Sequence, residues 1–190
     1  MRVSREQAGE NRFRVIAMAG ELFRERGFDG IGIADLMKAA GLTHGGFYGQ
    51  FKSKMDLAAE ASRQALAANA TLWRETINRT RDRALSAITG MYLARPNLIM
   101  RAKGCTFASL GADAARQDDE IKAVFAEGIE THLKLLQEII EGNGDEDRRR
   151  RAIVVLSQMV GAMTLARAVG DTPFAEEILA AVRDEHQTRH

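Results

Sequence analysis

The sequence of 190 residues contains one cysteine, two prolines and one tryptophan, and aromatic residues make up only 6% of it. A single cysteine cannot form a disulfide within the chain, which excludes a disulfide-stabilised fold. So few prolines leave long helices uninterrupted, and no segment of alternating β-branched residues indicates a sheet. No apolar run approaches the roughly 20 residues of a membrane-spanning helix, and the first residues do not form a signal peptide. We therefore expect an all-α fold, no membrane association and a cytoplasmic location.

The motifs of common enzymes and metal sites are also missing. The sequence has no glycine-rich phosphate loop after a strand, no HExxH, no Cys-x-x-Cys and no nucleophile elbow. Its four histidines do not show metal-ligand spacing on one element. We therefore expect a protein without catalytic activity, cofactor or metal ion.

The most informative segment follows a short apolar helical pattern over residues 33–40. Gly41 is suited to the left-handed conformation that ends a helix, and Thr43 is suited to cap a second, short helix. Phe47 and Phe51 lie four residues apart, so both can anchor that helix to the core. The order of helix, glycine turn and second helix is that of a helix-turn-helix, which presents its second helix to the major groove of DNA.

The outer side of this second helix carries candidate DNA contacts. Lysines and hydroxyls at a helix end are groups that bind phosphate oxygens. Glycines at positions 45, 46 and 49 each weaken a helix by about 1 kcal/mol relative to alanine, which indicates a close backbone approach to another molecule. An ordinary helical hairpin with a solvated lysine end is the alternative. The residues expected on the outer surface are Thr43, His44, Gly45, Tyr48 and Gln50, with Lys52 and Lys54 just beyond.

Together with the preceding helix, these residues resemble the tetracycline-repressor (TetR) family of bacterial transcriptional regulators. The matching positions run from about Arg14 to Leu57 and include Arg26-Gly27-Phe28, Phe47-Tyr48 and Ser53-Lys54. The resemblance implies a homodimer in which each subunit has a small DNA-binding domain and a larger ligand-binding domain. We therefore expect a helix-turn-helix DNA-binding domain at residues 1–54 and a helical ligand-binding and dimerisation domain at residues 55–190.

The resemblance also implies roles for individual residues. Lys54 matches a lysine that contacts phosphate at the start of the next helix. Gly32 stands where the family usually has a phosphate-binding Ser or Thr, so we expect fewer side-chain contacts and more backbone N–H contacts. The positions that face base edges or phosphates are matched by Thr43, His44, Gly45, Gly46 and Tyr48.

The last two predicted helices, at about 145–169 and 173–186, carry more apolar surface than one subunit covers easily. Small residues at spacings of four, three and four permit close helix packing. Burial inside one subunit is the alternative. The resemblance implies that both helices pair with their copies, and isologous dimers are the commonest oligomers. The residues assigned to this interface are Ser157, Gly161, Thr164, Ala168, Phe174, Ile178 and Val182.

Cys105 follows Gly104 at the predicted start of a helix, where the helix N-terminus lowers the pKa of a thiol. Lys103 and Arg101 nearby would favour a thiolate. The surrounding pattern resembles a TetR subgroup in which a cysteine at this position senses electrophiles or oxidants. A small buried hydrophobic residue is the alternative role. The candidate sensor and ligand residues are Cys105, Trp73, Tyr92, Phe107, His132 and Met163.

These features predict a homodimeric repressor that a small molecule, or modification of Cys105, releases from a palindromic DNA operator. The expected partners are double-stranded DNA, a second copy of the chain and an unknown small-molecule or electrophile effector. The first 54 residues contain nine Lys and Arg and six Asp and Glu, which gives DNA binding modest support. The alternative is a helical ligand-binding or scaffold protein without specific DNA binding.

Overall fold

The computed structural model describes residues 5–187, and all their regular elements are helices, with no strand among them. The predicted all-α fold is therefore confirmed. Within the described part of the chain, no helix is long and apolar enough to cross a membrane. The helices are α1 (Arg5–Arg26), α2 (Ile33–Ala39), α3 (Lys54–Thr80), α4 (Ala84–Tyr92), α5 (Arg95–Ile99), α6 (Thr106–Ala114), α7 (Asp119–Gln137), α8 (Asp145–Ala168) and α9 (Pro173–Glu185).

Side-chain caps fix the beginnings of several helices. The Ser53 hydroxyl accepts a hydrogen bond from the Asp56 N–H at 3.0 Å, which caps α3. The Thr172 hydroxyl caps α9 in the same way. The N-cap of α8 is Gly144, with φ of 98°, and Asp145 is the first residue of the helix.

The helices form a small N-terminal head and a larger body. In the head, α1 packs against both α2 and α3, and the rings of Phe23 and Phe28 meet edge to face at 5.5 Å. In the body, α7 packs between α3 and α8, and α9 packs on α8. Because α3 is one continuous helix that packs on both α1 and α7, it joins the head to the body.

Candidate nucleic-acid interface and effector region

The turn after α2 has the predicted backbone, but the element that follows it is shorter than predicted. Gly41 has φ of 73°, in the left-handed region that an L side chain disfavours. The expected second α-helix is one turn of 3₁₀ helix, His44–Gly46, followed by turns up to Phe51. The Thr43 side chain caps no N–H of this turn. Without a side-chain cap, and with glycines at 45, 46 and 49, this segment lacks the local interactions that lengthen a helix.

Two phenylalanines anchor this short element, as predicted. Phe47 is 0% exposed, Phe51 is also buried, and their ring centroids lie 5.5 Å apart. The ring of Tyr48 meets the ring of Phe47 edge to face at 5.2 Å but is itself 66% exposed. The buried phenylalanines therefore hold the turn in place while Tyr48 projects into solvent.

The residues assigned to DNA lie together on the surface of the head. Thr43, His44, Gly45, Gly46, Tyr48 and Lys52 are exposed, and Lys54 is half-buried at the start of α3. The Lys52 N–H donates to the Asp56 carboxylate at 2.9 Å, which holds the backbone at this end of α3. Gln50 differs from its expected surface role, since it is half-buried and its amide donates to the Gly46 carbonyl at 3.2 Å.

Internal packing does not explain the glycine at position 45. A Cβ added to Gly45 would have no heavy atom within 4 Å among the described residues, and φ there is not positive. A Cβ on Gly46 would make only an ordinary contact, 3.7 Å from the Met37 methyl group. The protein itself could therefore accept alanine at Gly45.

Comparison with known proteins identifies the head. Residues 15–61 match the family described as bacterial regulatory proteins, tetR family. The head of this chain is therefore similar to the N-terminal domain of that family. A 59-residue segment is 36% identical to the HTH-type transcriptional regulator AcrR of Shigella flexneri and spans 31% of this chain. That segment covers only 27% of the AcrR chain.

Two solved structures share the fold over nearly the whole chain. The structure of E. coli NemR in its reduced form has a TM-score of 0.81 and 19% identity, and the match covers 94% of this chain and 95% of NemR. A TetR-family transcriptional regulator from Cytophaga hutchinsonii has a TM-score of 0.80 and 21% identity, covering 97% of this chain and 96% of that one. At sequence identities of 19% and 21%, the similarity shows a shared fold and nothing further.

In the body, most of the candidate ligand residues form a packed aromatic cluster. Trp73 of α3 meets His132 of α7 at a centroid distance of 4.8 Å and Tyr92 of α4 at 6.3 Å. Phe107 of α6 meets His132 at 5.1 Å. These four side chains and Met163 are all buried. The structure thus brings rings from four helices together, although they fill the core rather than enclose a cavity.

The polar groups of this cluster are only partly satisfied. His132 Nδ1 lies 2.7 Å from the Gly128 carbonyl and can donate to it, and Nε2 lies 2.9 Å from the side-chain amide of Asn69. Burial lowers the pKa of His132, so the neutral ring is favoured. Within residues 5–187, Trp73 Nε1 has no hydrogen-bond partner, whereas the Tyr92 hydroxyl interacts with the Cys105 thiol. A buried polar group without a partner is uncommon in a packed core.

Cys105 lies at the N-cap position of α6, as predicted, but it is only 9% exposed. Burial raises the pKa of its thiol, and contact with Tyr92, nearby backbone N–H groups and the charge of Arg167 oppose this rise without reversing it. The expectation that its surroundings favour a thiolate is therefore wrong for this conformation. The backbone N–H groups at the helix N-terminus act as expected, but the cation that contributes is Arg167 rather than Lys103 or Arg101, and removal from water outweighs both effects.

Sequence reasoning missed Arg167, a buried cation beside the cysteine. Its guanidinium donates to the Ser109 hydroxyl and to the Asn97 carbonyl, both at 2.7 Å, and it makes no ion pair within the described residues. Burial lowers its pKa. The sequence signal for this residue was an arginine within an otherwise apolar helical pattern. A charged side chain at such a position is buried only if several hydrogen bonds satisfy it.

A cavity of about 650 Å³ opens between α6, α7 and α8, and sequence reasoning did not predict its position. Among the candidate ligand residues, only Phe107 lines it. Other lining residues are Gly111, Lys122, Phe125, Ala126, Ile129, Leu133, Ile153, Ser157 and Gly161.

The residues assigned to the dimer interface lie on α8 and α9, and none of them is fully buried. Leu165 and Phe174, which lie on the same two helices, are apolar and 60% and 55% exposed. The assignment to an interface stays a prediction. Ser157, Thr164, Ala168 and Phe174 are exposed, whereas Gly161, Ile178 and Val182 are half-buried.

Proposed function

We propose that this protein is a DNA-binding transcriptional regulator that acts as a homodimeric repressor. Residues 1–54 would form the DNA-binding domain and residues 55–190 the ligand-binding and dimerisation domain. The observation that carries this proposal is the tetR-family head, whose turn at residues 43–48 exposes polar side chains and a glycine that the protein's own packing does not require. The described residues of this surface form no catalytic arrangement, and the head matches a family of regulatory proteins. Both observations support a role in binding rather than catalysis.

The turn would enter the major groove, with Tyr48 and His44 beside the bases and Lys52 and Lys54 beside phosphates. Lys52 and Lys54 make no ion pair within residues 5–187, which leaves their charges available to phosphate. Gly45 and Gly46 would let the backbone approach the DNA closely. In a dimer, two such turns would face successive major grooves about 34–36 Å apart on a palindromic operator.

The dimer would form through the apolar surface of α8 and α9. Phe174, Ile178 and Val182 of α9 lie at spacings of four, their side chains are exposed or half-buried, and α9 packs on α8, which carries the small-residue ridge. An exposed apolar surface of this kind marks an association site in soluble proteins. An isologous pairing would bury it symmetrically.

Release from DNA would follow an event in the body, either binding of a small molecule or modification of Cys105. Cys105 lies where several elements meet. The neighbouring turn at residues 101–103 receives a hydrogen bond from Arg24 of α1, at 2.7 Å to the Ala102 carbonyl. An adduct on Cys105 would have to displace Tyr92 or Arg167, and the disturbance could reach the head through α1.

The test is DNA binding by the purified chain to the DNA that flanks its own gene. Gly45→Ala should weaken binding at least tenfold while leaving the unfolding transition unchanged, because the added methyl group fits the protein but meets the DNA. Gly90→Ala is the matched control, since a Cβ there also has no neighbour within 4 Å and Gly90 lies in α4 of the body.

The same experiment separates the alternative, a helical ligand-binding or scaffold protein, which the family match does not favour. Specific binding that Gly45→Ala leaves intact would overturn the assigned DNA surface. Absence of specific binding to every flanking fragment would favour the alternative. A thiol-reactive electrophile is then added to the wild type and to the Cys105→Ser control. Loss of DNA binding in the wild type alone indicates modification of Cys105 as the trigger, and unchanged binding in both indicates a small-molecule ligand.

A further inference from the structure

The cavity between α6, α7 and α8 has the size of a small-molecule site. Its volume of about 650 Å³ lies within the range of roughly 300–1,000 Å³ that is usual for ligand pockets. Buried Phe107, Phe125, Leu133 and Leu156 form part of its lining. The rings of Phe107 and Phe125 meet edge to face at 6.1 Å, which holds this part of the wall in place.

The lining defines the chemistry of an occupant. Only Ser157 contributes a hydroxyl and only Lys122 a charge, and the remaining lining residues are apolar or glycine. The Lys122 ammonium already lies 3.7 Å from the Asp119 carboxylate. A charged molecule bound here would lose its hydrating water, and the lining offers no unpaired charge of opposite sign to compensate for that loss. The lining therefore favours an uncharged, largely apolar ligand.

One side of the cavity is open in a single subunit. Ile129 and Ile153, two of its lining residues, are 40% and 45% exposed. Ser157 and Gly161 also line it and belong to the α8 ridge assigned to the dimer interface. Ligand pockets usually bury 70–90% or more of a bound molecule, so an apolar ligand needs a further wall. A second subunit packed on the ridge would supply that wall.

We propose that this cavity binds an uncharged, largely apolar small molecule and that the second subunit completes the site. The site is separate from the packed cluster of Trp73, Tyr92 and His132. The proposal rests on the proposed homodimer but not on DNA binding. Because Phe107 and Gly111 of α6 form one wall, an occupant pushes directly on α6.

The test is a fluorescence titration of the full chain with N-phenyl-1-naphthylamine, an uncharged apolar probe. We expect saturable binding of one probe per subunit, weakened at least tenfold by Gly111→Leu. A Cβ on Gly111 meets no heavy atom within 4 Å, so the larger side chain extends into open space. Gly90→Leu starts from equally open surroundings away from the cavity and should leave probe binding unchanged.

A further variant and a second probe keep the test decisive. Ala126→Leu narrows the cavity from an exposed position, so it should weaken binding even if Gly111→Leu fails to fold. The anionic probe 8-anilino-1-naphthalenesulfonate, which has the same ring system, should bind at least tenfold more weakly than N-phenyl-1-naphthylamine. Absence of saturable binding, or full affinity in both leucine variants, overturns the site. Equal or tighter binding of the anionic probe overturns the uncharged class of ligand.

The role of the second subunit is tested with Leu165→Glu, which places a charge on the exposed apolar surface outside the cavity lining. Sedimentation measures the oligomer independently of the probe. We expect a monomer that binds the probe at least tenfold more weakly than the wild-type dimer. A monomeric variant with unchanged affinity overturns closure by the partner and leaves the proposed regulator standing. A wild-type chain that is already monomeric overturns both closure by the partner and the proposed homodimer.

Discussion

The Asp113 carboxylate accepts a hydrogen bond from the Phe28 N–H at 3.3 Å and so joins α6 of the body to the segment between α1 and α2. The contact depends on Gly27, which has φ of 78° and on which a Cβ would lie 2.6 Å from the Asp113 carboxylate oxygen. Because α6 also carries Phe107 and Gly111 on the cavity wall, one short helix contacts both the cavity and the head. Two sites on one rigid element can be coupled when that element moves.

Asp113→Ala should weaken the contact between α6 and the segment that follows α1, without disrupting the packed interior of the head or of the body. The substitution leaves the N–H of buried Phe28 without its acceptor, and we expect the free energy of unfolding to fall by about 1 kcal/mol. Hydrogen exchange of the Phe28 amide should become faster. Asp119→Ala is the control, because Asp119 is fully exposed and only faces Lys122. Unchanged exchange at Phe28 would contradict the role given to Asp113.

Phe47 and Tyr48 are neighbours with opposite expected roles. Phe47→Ala removes a fully buried ring, and such changes typically lower the free energy of unfolding by about 3–5 kcal/mol. Tyr48→Ala removes a mostly exposed ring, so it should change stability by less than about 1 kcal/mol while weakening DNA binding. Urea unfolding measures the first effect and operator titration the second. A Tyr48→Ala chain with full DNA affinity would remove Tyr48 from the interface.

Much of this fold could be predicted from the sequence because its signals are local. Gly41 takes the predicted left-handed conformation, and Cys105 lies at the predicted beginning of a helix. The spacing of Phe47 and Phe51 identifies the buried side of the turn. Each of these features depends on residues within about four positions of one another, so a pattern in the sequence contains them.

What the sequence could not predict depends on contacts between distant segments. The pKa of Cys105 depends on its burial and on Tyr92 and Arg167, which lie on other helices. The cavity exists because α6, α7 and α8 leave a space between them, and apolar periodicity looks the same whether a side chain fills a core or lines a gap. Trp73 and His132 are an example. Their helical spacing is that of ordinary core residues, and the structure shows both packed against each other in the core.

Lys54 provides a test of the phosphate contacts. If its ammonium neutralises one phosphate, Lys54→Ala should weaken operator binding and reduce the slope of log affinity against log salt by about 0.9. Lys134→Ala, on α7 of the body, removes the same charge and should leave the slope unchanged. Operator titrations between about 50 and 200 mM salt measure both slopes. Equal slopes in the two variants would exclude Lys54 from phosphate binding.

Cys105 should react slowly in the folded protein at neutral pH. Burial raises the pKa of its thiol, so the thiolate fraction lies below that of a free cysteine, whose pKa is about 8.5. We expect alkylation by iodoacetamide at pH 7.5 to be at least tenfold slower than that of glutathione, and to speed up as pH rises. Because the pKa is raised on folding, the thiol contributes stability that is complete below about pH 8.5 and is lost as pH rises through the folded pKa. The stability advantage of the wild type over Cys105→Ser should therefore shrink above pH 8.5 in urea unfolding. An alkylation rate close to that of glutathione at pH 7.5 would instead mean that the chain opens readily around Cys105, and would favour modification of the cysteine as the trigger for release.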